Sequence, residues 1–291
     1  MVKTIGQLYR DARHQLMTRE DRETASFYAR TLISYITGKS REEFLSQQEI
    51  YASEEVCNRL QMGLTRLLND EPLAYVLGEW DFYGMTLKVN ENVLIPRDDT
   101  CAVTDLAIEE LNKRAGETRV LDLCTGSGCI GLAVAKNIPD TRVTLADISR
   151  SALAVAKENI ALQKLTGRVA CVEADALSAL PAFLGKFDII VCNPPYITGE
   201  EMKELPKSVD HFEPHLALYG GEDGLAFYRS ITKNYRAALK NGGCLCFEFG
   251  EGQGDAVAEI LAENGFTVLD RRLDYNERER AIIARYQRED E

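Results

Sequence analysis

The sequence predicts an α/β protein, a doubly wound parallel sheet preceded by a small helical bundle, with a short β-hairpin joining the two. Three observations carry this. The first part of the chain places apolar residues at helical spacing. From Thr118 onward, short and continuously apolar runs alternate with helical stretches, the pattern of strands covered on both faces by helices. Between these regions, two short segments flank a turn at Gly84.

Taken in order, Ile5, Leu8, Ala12 and Leu16 mark a first helix. A second runs from Arg22 to Ile36 and stops at Gly38, a natural C-terminal cap. Ser40 and Glu43 form a capping box for a short third helix. Ser53 opens a fourth, with Val56, Leu60, Leu64, Leu67 and Leu68 on its apolar side. The pattern changes at Pro72, and Trp80 to Ile95 reads as two short strands. A helix follows from Thr100 to Arg114. Strands are then expected at Val120–Leu123, Val143–Ala146, Val169–Val172, Phe187–Val191 and Cys244–Phe249. Helices are expected at Gly131–Lys136, Ser149–Leu162 and Leu225–Leu239, and after Gly254. A final strand pair is expected at Thr267–Asp270 and Ala281–Ala284.

Composition narrows the function. The 291 residues, 45% of them hydrophobic, suffice for two domains. Lys plus Arg is 34 against 46 for Asp plus Glu, a net charge of −12. A protein that grips phosphate backbones is usually basic, so no direct nucleic-acid target is expected. No stretch approaches the roughly 20 apolar residues that span a bilayer. Met1 to Arg10 lacks the apolar core of a signal peptide, and the expected location is the cytoplasm, away from membranes. The eight cysteines form no CxxC pair and are expected as reduced thiols. With three histidines and no Cys/His cluster, no metal is expected.

Two motifs carry chemistry. The strand ending at Leu123 runs into Cys124-Thr125-Gly126-Ser127-Gly128, and Gly126, Gly128 and Gly131 fit G-x-G-x-x-G. Glycines there allow a tight turn and close approach of backbone to a ligand. Asp147, about 20 residues on, can accept from ribose hydroxyls. This spacing serves NAD and S-adenosylmethionine equally well. The second motif tips the balance towards S-adenosylmethionine. The strand from Phe187 ends in Asn193-Pro194-Pro195-Tyr196. Two prolines fix φ and remove two donors, and the residue before each is held extended. The turn therefore presents acceptors, the Asn193 side-chain oxygen and the Pro194 carbonyl. An amide or exocyclic amine brings two N–H donors, which two such acceptors can hold. Tyr196 can lie against the planar group. A dehydrogenase would need a hydride-handling site, and an adenine methylase a target-recognition domain; neither is evident.

The chain resembles the HemK/PrmC family of protein-(glutamine-N5) methyltransferases. The resemblance spans nearly its whole length. It is carried by Glu71-Pro72-Leu73-Ala74-Tyr75 with Gly78-Glu79, Leu94-Ile95-Pro96-Arg97 with Asp99-Thr100, the Cys124–Gly128 loop, Asn193–Tyr196 with Ile197, Phe212-Glu213-Pro214, and Asn276-Glu277-Arg278. It implies a class I, Rossmann-like methyltransferase domain over residues 97–291, a helical substrate-recognition domain over 1–75 and a hairpin linker over 76–96. It also implies methyl transfer from S-adenosylmethionine to the glutamine of a Gly-Gly-Gln motif in class I peptide chain release factors. In this resemblance Cys124, Thr125, Gly126, Ser127 and Gly128 cradle the methionine part of the cofactor. Asp147 binds the ribose, and Asp175 and Ala176 lie near the adenine. Asn193, Pro194, Pro195 and Tyr196 hold the glutamine amide, with Asn193 also near the cofactor and Asn193, Pro194 and Tyr196 doing the chemistry. Many members carry glycine where Cys124 stands, so the backbone there must tolerate a side chain. Arg97 is open between pairing with a carboxylate, gripping substrate and standing idle on the surface.

Overall fold

The computed structural model describes residues 3–287. The chain divides into two compact units. One comprises the residues up to Gly78 together with Lys207–Phe212; the other comprises Glu79–Pro206 and the residues from Glu213 onward.

The first unit is helical. Helix α1 (Ile5–Leu16) starts at a capping box in which Thr4 and Gln7 satisfy each other's exposed backbone N–H groups. Asp21 caps α2 (Arg22–Thr37), which ends on Gly38 at φ 66°. Ser40 and Glu43 form the expected box at α3 (Arg41–Ser46), and Ser53 caps α4 (Glu54–Leu68). Their buried faces include Leu8, Leu16, Leu32, Ile33, Leu60 and Leu64. Pro72 does more than end the bundle. It is the N-cap of a fifth short helix, α5 (Leu73–Leu77), closed by Gly78 at φ 74°. Proline suits a helix start because the N–H it lacks would be unpaired there anyway. Arg66 braces this helix, donating to the Tyr75 and Val76 carbonyls and pairing with Glu71.

The second unit opens with the hairpin β1 (Glu79–Phe82) and β2 (Met85–Lys88), turning through Tyr83 and Gly84, both at positive φ. After α6 (Cys101–Asn112) come β3 (Thr118–Leu123), α7 (Cys129–Asn137), β4 (Thr141–Asp147), α8 (Arg150–Leu162), β5 (Val169–Glu173) and β6 (Phe187–Cys192). The single turn α9 (Lys207–Asp210) belongs to the helical unit. The chain finishes with α10 (Ala226–Asn234), β7 (Leu239–Glu248), α11 (Gly254–Glu263), β8 (Phe266–Leu273) and β9 (Glu279–Tyr286). Seven strands form one sheet in the order β5-β4-β3-β6-β7-β9-β8, parallel from β5 to β7 and antiparallel through β9 and β8. One apolar layer joins β3, β4 and β6 to α6, α7, α8 and the hairpin residues Phe82, Met85 and Leu87. The other joins the opposite face to α10 and α11.

The helix expected to reach Leu239 instead ends at Asn234, and β7 begins five residues earlier than expected. Asn241-Gly242-Gly243 reads as a strand breaker. The sheet absorbs it as an irregularity, with a register shift opposite Phe187 and Ile189 and Gly242 at φ 71°. Among the described residues no helix is long and apolar enough to cross a membrane. None of the eight cysteines is in a disulfide; Cys192, Cys244 and Cys246 are buried, and Cys124 and Cys129 are half-buried.

Candidate active site

The order β4-β3-β6 reverses direction between β3 and β6, and ligands in such sheets bind at the carboxyl ends of the strands beside that reversal. Both motifs sit there. The loop after β3 is built from left-handed backbone: Cys124 has φ 59°, Gly126 53° and Gly128 84°. Cys124 is the one non-glycine of the three. A methyl at Gly126 would meet nothing within 4 Å, so the backbone there is open to a ligand. Gly128 caps α7, and a methyl there would press on Leu145 at 3.0 Å and Leu132 at 3.2 Å.

Two carboxylates shape this loop. Asp122, within β3, is fully buried; its Oδ2 accepts from Thr125 Oγ1 at 2.5 Å and from the Gly131 N–H at 2.9 Å. Its Oδ1 has no partner. Burial pushes the Asp122 carboxyl up to about 7, against those two hydrogen bonds. Asp147, at the end of β4, accepts from the Gly126 N–H through Oδ2 and from the Ser149 N–H through Oδ1, each at 2.9 Å. Burial raises its pKa despite these bonds. Each carboxylate oxygen has two lone pairs, so Asp147 keeps acceptor capacity toward the cavity.

From the far side, Asn159 of α8 pins the loop. It is fully buried, accepts from the Lys88 N–H at 2.6 Å, and donates to the Lys88 carbonyl at 3.0 Å and the Ser127 carbonyl at 2.9 Å. After β5, Asp175 folds a turn by accepting from the Leu177 N–H and the Ser178 hydroxyl. Tyr235 and Ser230 donate to the Asp175 and Ala176 carbonyls at 2.9 and 2.8 Å, fixing this segment from α10 and the turn that follows it.

Asn193 follows β6, with Pro194 and Pro195 buried behind it. Its Nδ2 lies 3.4 Å from Oγ1 of Thr100, itself 2% exposed. The turn is held from outside. Gln253 donates to the Tyr196 carbonyl at 3.0 Å, and Ile197 exchanges backbone hydrogen bonds with Leu218 and Gly220. Gly220 is packed so closely that a methyl would come within 2.7 Å of the Pro195 carbonyl oxygen. The Tyr196 ring edge lies over Gly250, where a methyl would touch it at 3.1 Å, and burial raises its phenol.

These segments enclose a cavity of about 220 Å³. Cys124, Thr125, Gly126, Ser127, Asp147, Asp175, Ala176, Asn193 and Pro195 line it together. Gly128, Pro194 and Tyr196 are not on its wall: Gly128 serves as the helix cap, Pro194 is buried, and the Tyr196 ring is turned towards Gly250. The wall also includes Thr100 and Arg97, and exposed apolar side chains of Ile148, Leu177 and Leu216 at its rim. Arg97 is ion-paired with the buried Glu213, which also accepts from the Ile95 N–H at 3.2 Å. Among the described residues, no group of three or more His, Cys, Asp or Glu side chains is placed to hold a metal ion.

The geometry has counterparts. Residues 95–209 match the family described as the methyltransferase small domain, and residues 7–78 match the PrmC N-terminal domain. The release factor glutamine methyltransferase of Streptococcus pneumoniae is 39% identical over 263 residues, which cover 89% of this chain and 90% of that protein. The chain belongs to the release factor glutamine methyltransferase family. Another family member, from Clostridium acetobutylicum, is 36% identical over 255 residues, covering 87% of this chain and 88% of its own. In fold, the chain is similar to a methyltransferase from Pyrococcus furiosus, with a TM-score of 0.52 at 16% identity over 77% of this chain and 98% of that one.

Several residues that shape the site carry no sequence signal. Asn159 is a polar residue within a helix and reads as solvent-facing. Asp122 is one carboxylate in an apolar strand. Glu248, buried at the end of β7 beside Asn193, reads as a strand terminus. Only their position across the sheet reveals them.

Proposed function

We propose that this chain transfers a methyl group from S-adenosylmethionine to the side-chain amide nitrogen of a glutamine, with class I peptide chain release factors as its protein substrates. The observation that carries the reading is that Asn193 and Pro195 line the same cavity as the Cys124–Ser127 loop and Asp147. The residues suit the cofactor: an open cradle at Gly126, a carboxylate with spare lone pairs at Asp147, and a wall from Asp175 and Ala176 to Ile148 for a flat base. When bound, the cofactor supplies an electrophilic methyl on a sulfonium.

The protein's own task is placement. An amide nitrogen is a poor nucleophile because its lone pair is delocalised into the carbonyl. The Asn193 side-chain oxygen, on the cavity wall beside Pro195, would accept one of its N–H bonds and orient the nitrogen toward the cofactor's place by the Cys124–Ser127 loop. Holding reactants in line can supply about 7–11 kcal/mol of the barrier. The Cys124–Ser127 loop and Asp147 would hold the bound cofactor that supplies the methyl, and the surplus proton of the methylated nitrogen would pass to solvent. No strong base is required beforehand. The helical unit, which matches the PrmC N-terminal domain, would grip the protein substrate.

The test is incubation with labelled S-adenosylmethionine and a release factor, followed by peptide mass spectrometry. The expected product carries one methyl on the glutamine of the Gly-Gly-Gln motif. Asn193→Ala is expected to lower single-turnover methyl transfer by about 10²–10³, with an unchanged melting temperature. Turnover within about threefold of wild type would defeat the amide-holding role of Asn193.

A further inference from the structure

Glu248 ends β7 with 1% of its surface exposed. Strand pairing sets Cys192 opposite Phe247, so Asn193 and Glu248 leave neighbouring strands side by side. Oε2 of Glu248 has no hydrogen-bond partner. Burying such a group without full satisfaction is costly, and in native proteins it calls for an explanation. The groups facing it are the Thr100 hydroxyl, the Asn193 carboxamide, Arg280, Asp99 and Tyr196. Arg280 is 9% exposed and lies 3.3 Å from Asp99 and 3.4 Å from Asp274. The Tyr228 hydroxyl donates to the Glu248 main-chain carbonyl at 3.0 Å. Burial pushes the Glu248 carboxyl up to about 7, while Thr100, Arg280 and Asn193 act in the opposite sense.

A carboxamide is nearly symmetric in shape but not in chemistry: one end accepts, the other donates twice. To hold a substrate NH₂, Asn193 must turn its oxygen to the cavity. A flipped Asn193 would set donors against donors. Something on the protein side must therefore accept from Nδ2. Thr100 Oγ1 is placed to do so at 3.4 Å, but a hydroxyl is ambivalent and could equally donate. In its ionised form, the buried Glu248 carboxyl resolves this, because it can only accept. A hydroxyl that gives its one proton to Glu248 has only lone pairs left for Asn193.

We propose that Glu248 is a positioning residue: facing Asn193 both directly and through Thr100, it fixes the carboxamide of Asn193 with its oxygen toward the cavity, so that the site accepts from the substrate amide. The Asn193 N–H groups face the Thr100 oxygen at 3.4 Å and the Glu248 carboxyl, and the Thr100 hydroxyl faces the same carboxyl. This rests on the reading of Asn193 as the amide acceptor.

The experiment is single-turnover methyl transfer to a release factor by full-length Glu248→Gln, Thr100→Val and Thr100→Ser, alone and combined with Asn193→Ala. Melting temperature and calorimetric affinity for S-adenosylmethionine are measured alongside. Glu248→Gln and Thr100→Val are expected to lower the rate by about tenfold or more, with unchanged cofactor affinity. Thr100→Ser keeps the hydroxyl and should remain within about threefold of wild type. In the Asn193→Ala background, both harmful substitutions should change the rate by less than about twofold, because the group they orient is gone. Additive losses in that background would overturn the proposal, as would a Thr100→Ser variant no better than Thr100→Val. A Glu248→Gln variant at the wild-type rate would overturn it too. If Asn193→Ala alone keeps full activity, the amide-holding reading itself fails and takes this one with it.

Discussion

Gly131→Ala adds one methyl at the tightest contact between α7 and the sheet. An ideal Cβ at this position would lie 2.9 Å from Asp122 Oδ2, 3.0 Å from Val143 Cγ1, and closer still to Leu145 Cδ2. Ordinary carbon contacts are roughly 3.5–4.0 Å. Leu145 and Val143 are at most 2% exposed, so neither can swing into solvent. Either the core repacks or α7 lifts from the sheet. Helix propensity favours alanine by about 1 kcal/mol. Overpacking opposes it by about 1–3 kcal/mol. If the helix lifts, the Gly131 N–H to Asp122 bond is lost as well, about 0.5–1.5 kcal/mol while Asp122 holds its proton and about 1.5–3 once it is ionised. The net expectation is a loss of about 2 kcal/mol, or about 4–8 °C in melting temperature for a unit of this size. Because Asp122 also holds Thr125, affinity for S-adenosylmethionine should fall with it. Gly167→Ala is the control: its methyl meets nothing within 4 Å, so it should match wild type or gain up to about 1 kcal/mol. Thermal melting by circular dichroism and calorimetric titration measure both effects. If Gly131→Ala melts together with Gly167→Ala, the packing argument is wrong.

Asp122→Asn should become relatively more stable as pH rises. The folded state holds the Asp122 proton up to about pH 7 while the unfolded chain releases it near 3.8, so wild type loses up to about 1.4 kcal/mol per pH unit across that window. Asparagine keeps an acceptor for Thr125 and Gly131 without the titration; parallel melting curves from pH 5 to 8 would refute this. Asn159→Leu should destabilise the fold by about 3 kcal/mol or more, since three backbone groups at Lys88 and Ser127 lose their partner. Its weakened cofactor binding is read by calorimetry, and an unchanged affinity would show that the Ser127 anchor is dispensable.

Local chemistry made most of the fold legible. The capping residues Asp21, Ser40 and Ser53 and the stop at Gly38 bond or turn within a few residues of themselves, so they announce their helices directly. The central strands β3 and β6 were visible because burial on both faces leaves no polar alternation, and the edge strand β5 through its short apolar run Val169–Val172. Pro72 misled, since a proline both ends and begins helices and only the bracing by Arg66 shows which. The end of α10 misled because the tolerance of β7 for Gly242 depends on a neighbouring strand. In the site, residues acting through backbone conformation, such as Gly126 and Pro195, declare themselves by type. Residues acting through distant partners do not: Asn159 reaches 71 positions to Lys88, and Glu213 reaches 118 to Ile95.

The helical unit is not one continuous stretch of chain. Residues 207–212 return to it from within the other unit, which resumes at Glu213. The chain therefore crosses between the units three times, and no single cut can excise either one whole. A protease nick after Gly78 would leave the first fragment without 207–212, while the second would carry that segment as an orphaned insertion. Discontinuity of this kind also restricts the evolutionary and engineering trade in parts. The helices cannot be swapped for those of a relative by exchanging the N-terminal sequence alone; the six-residue return must travel with them.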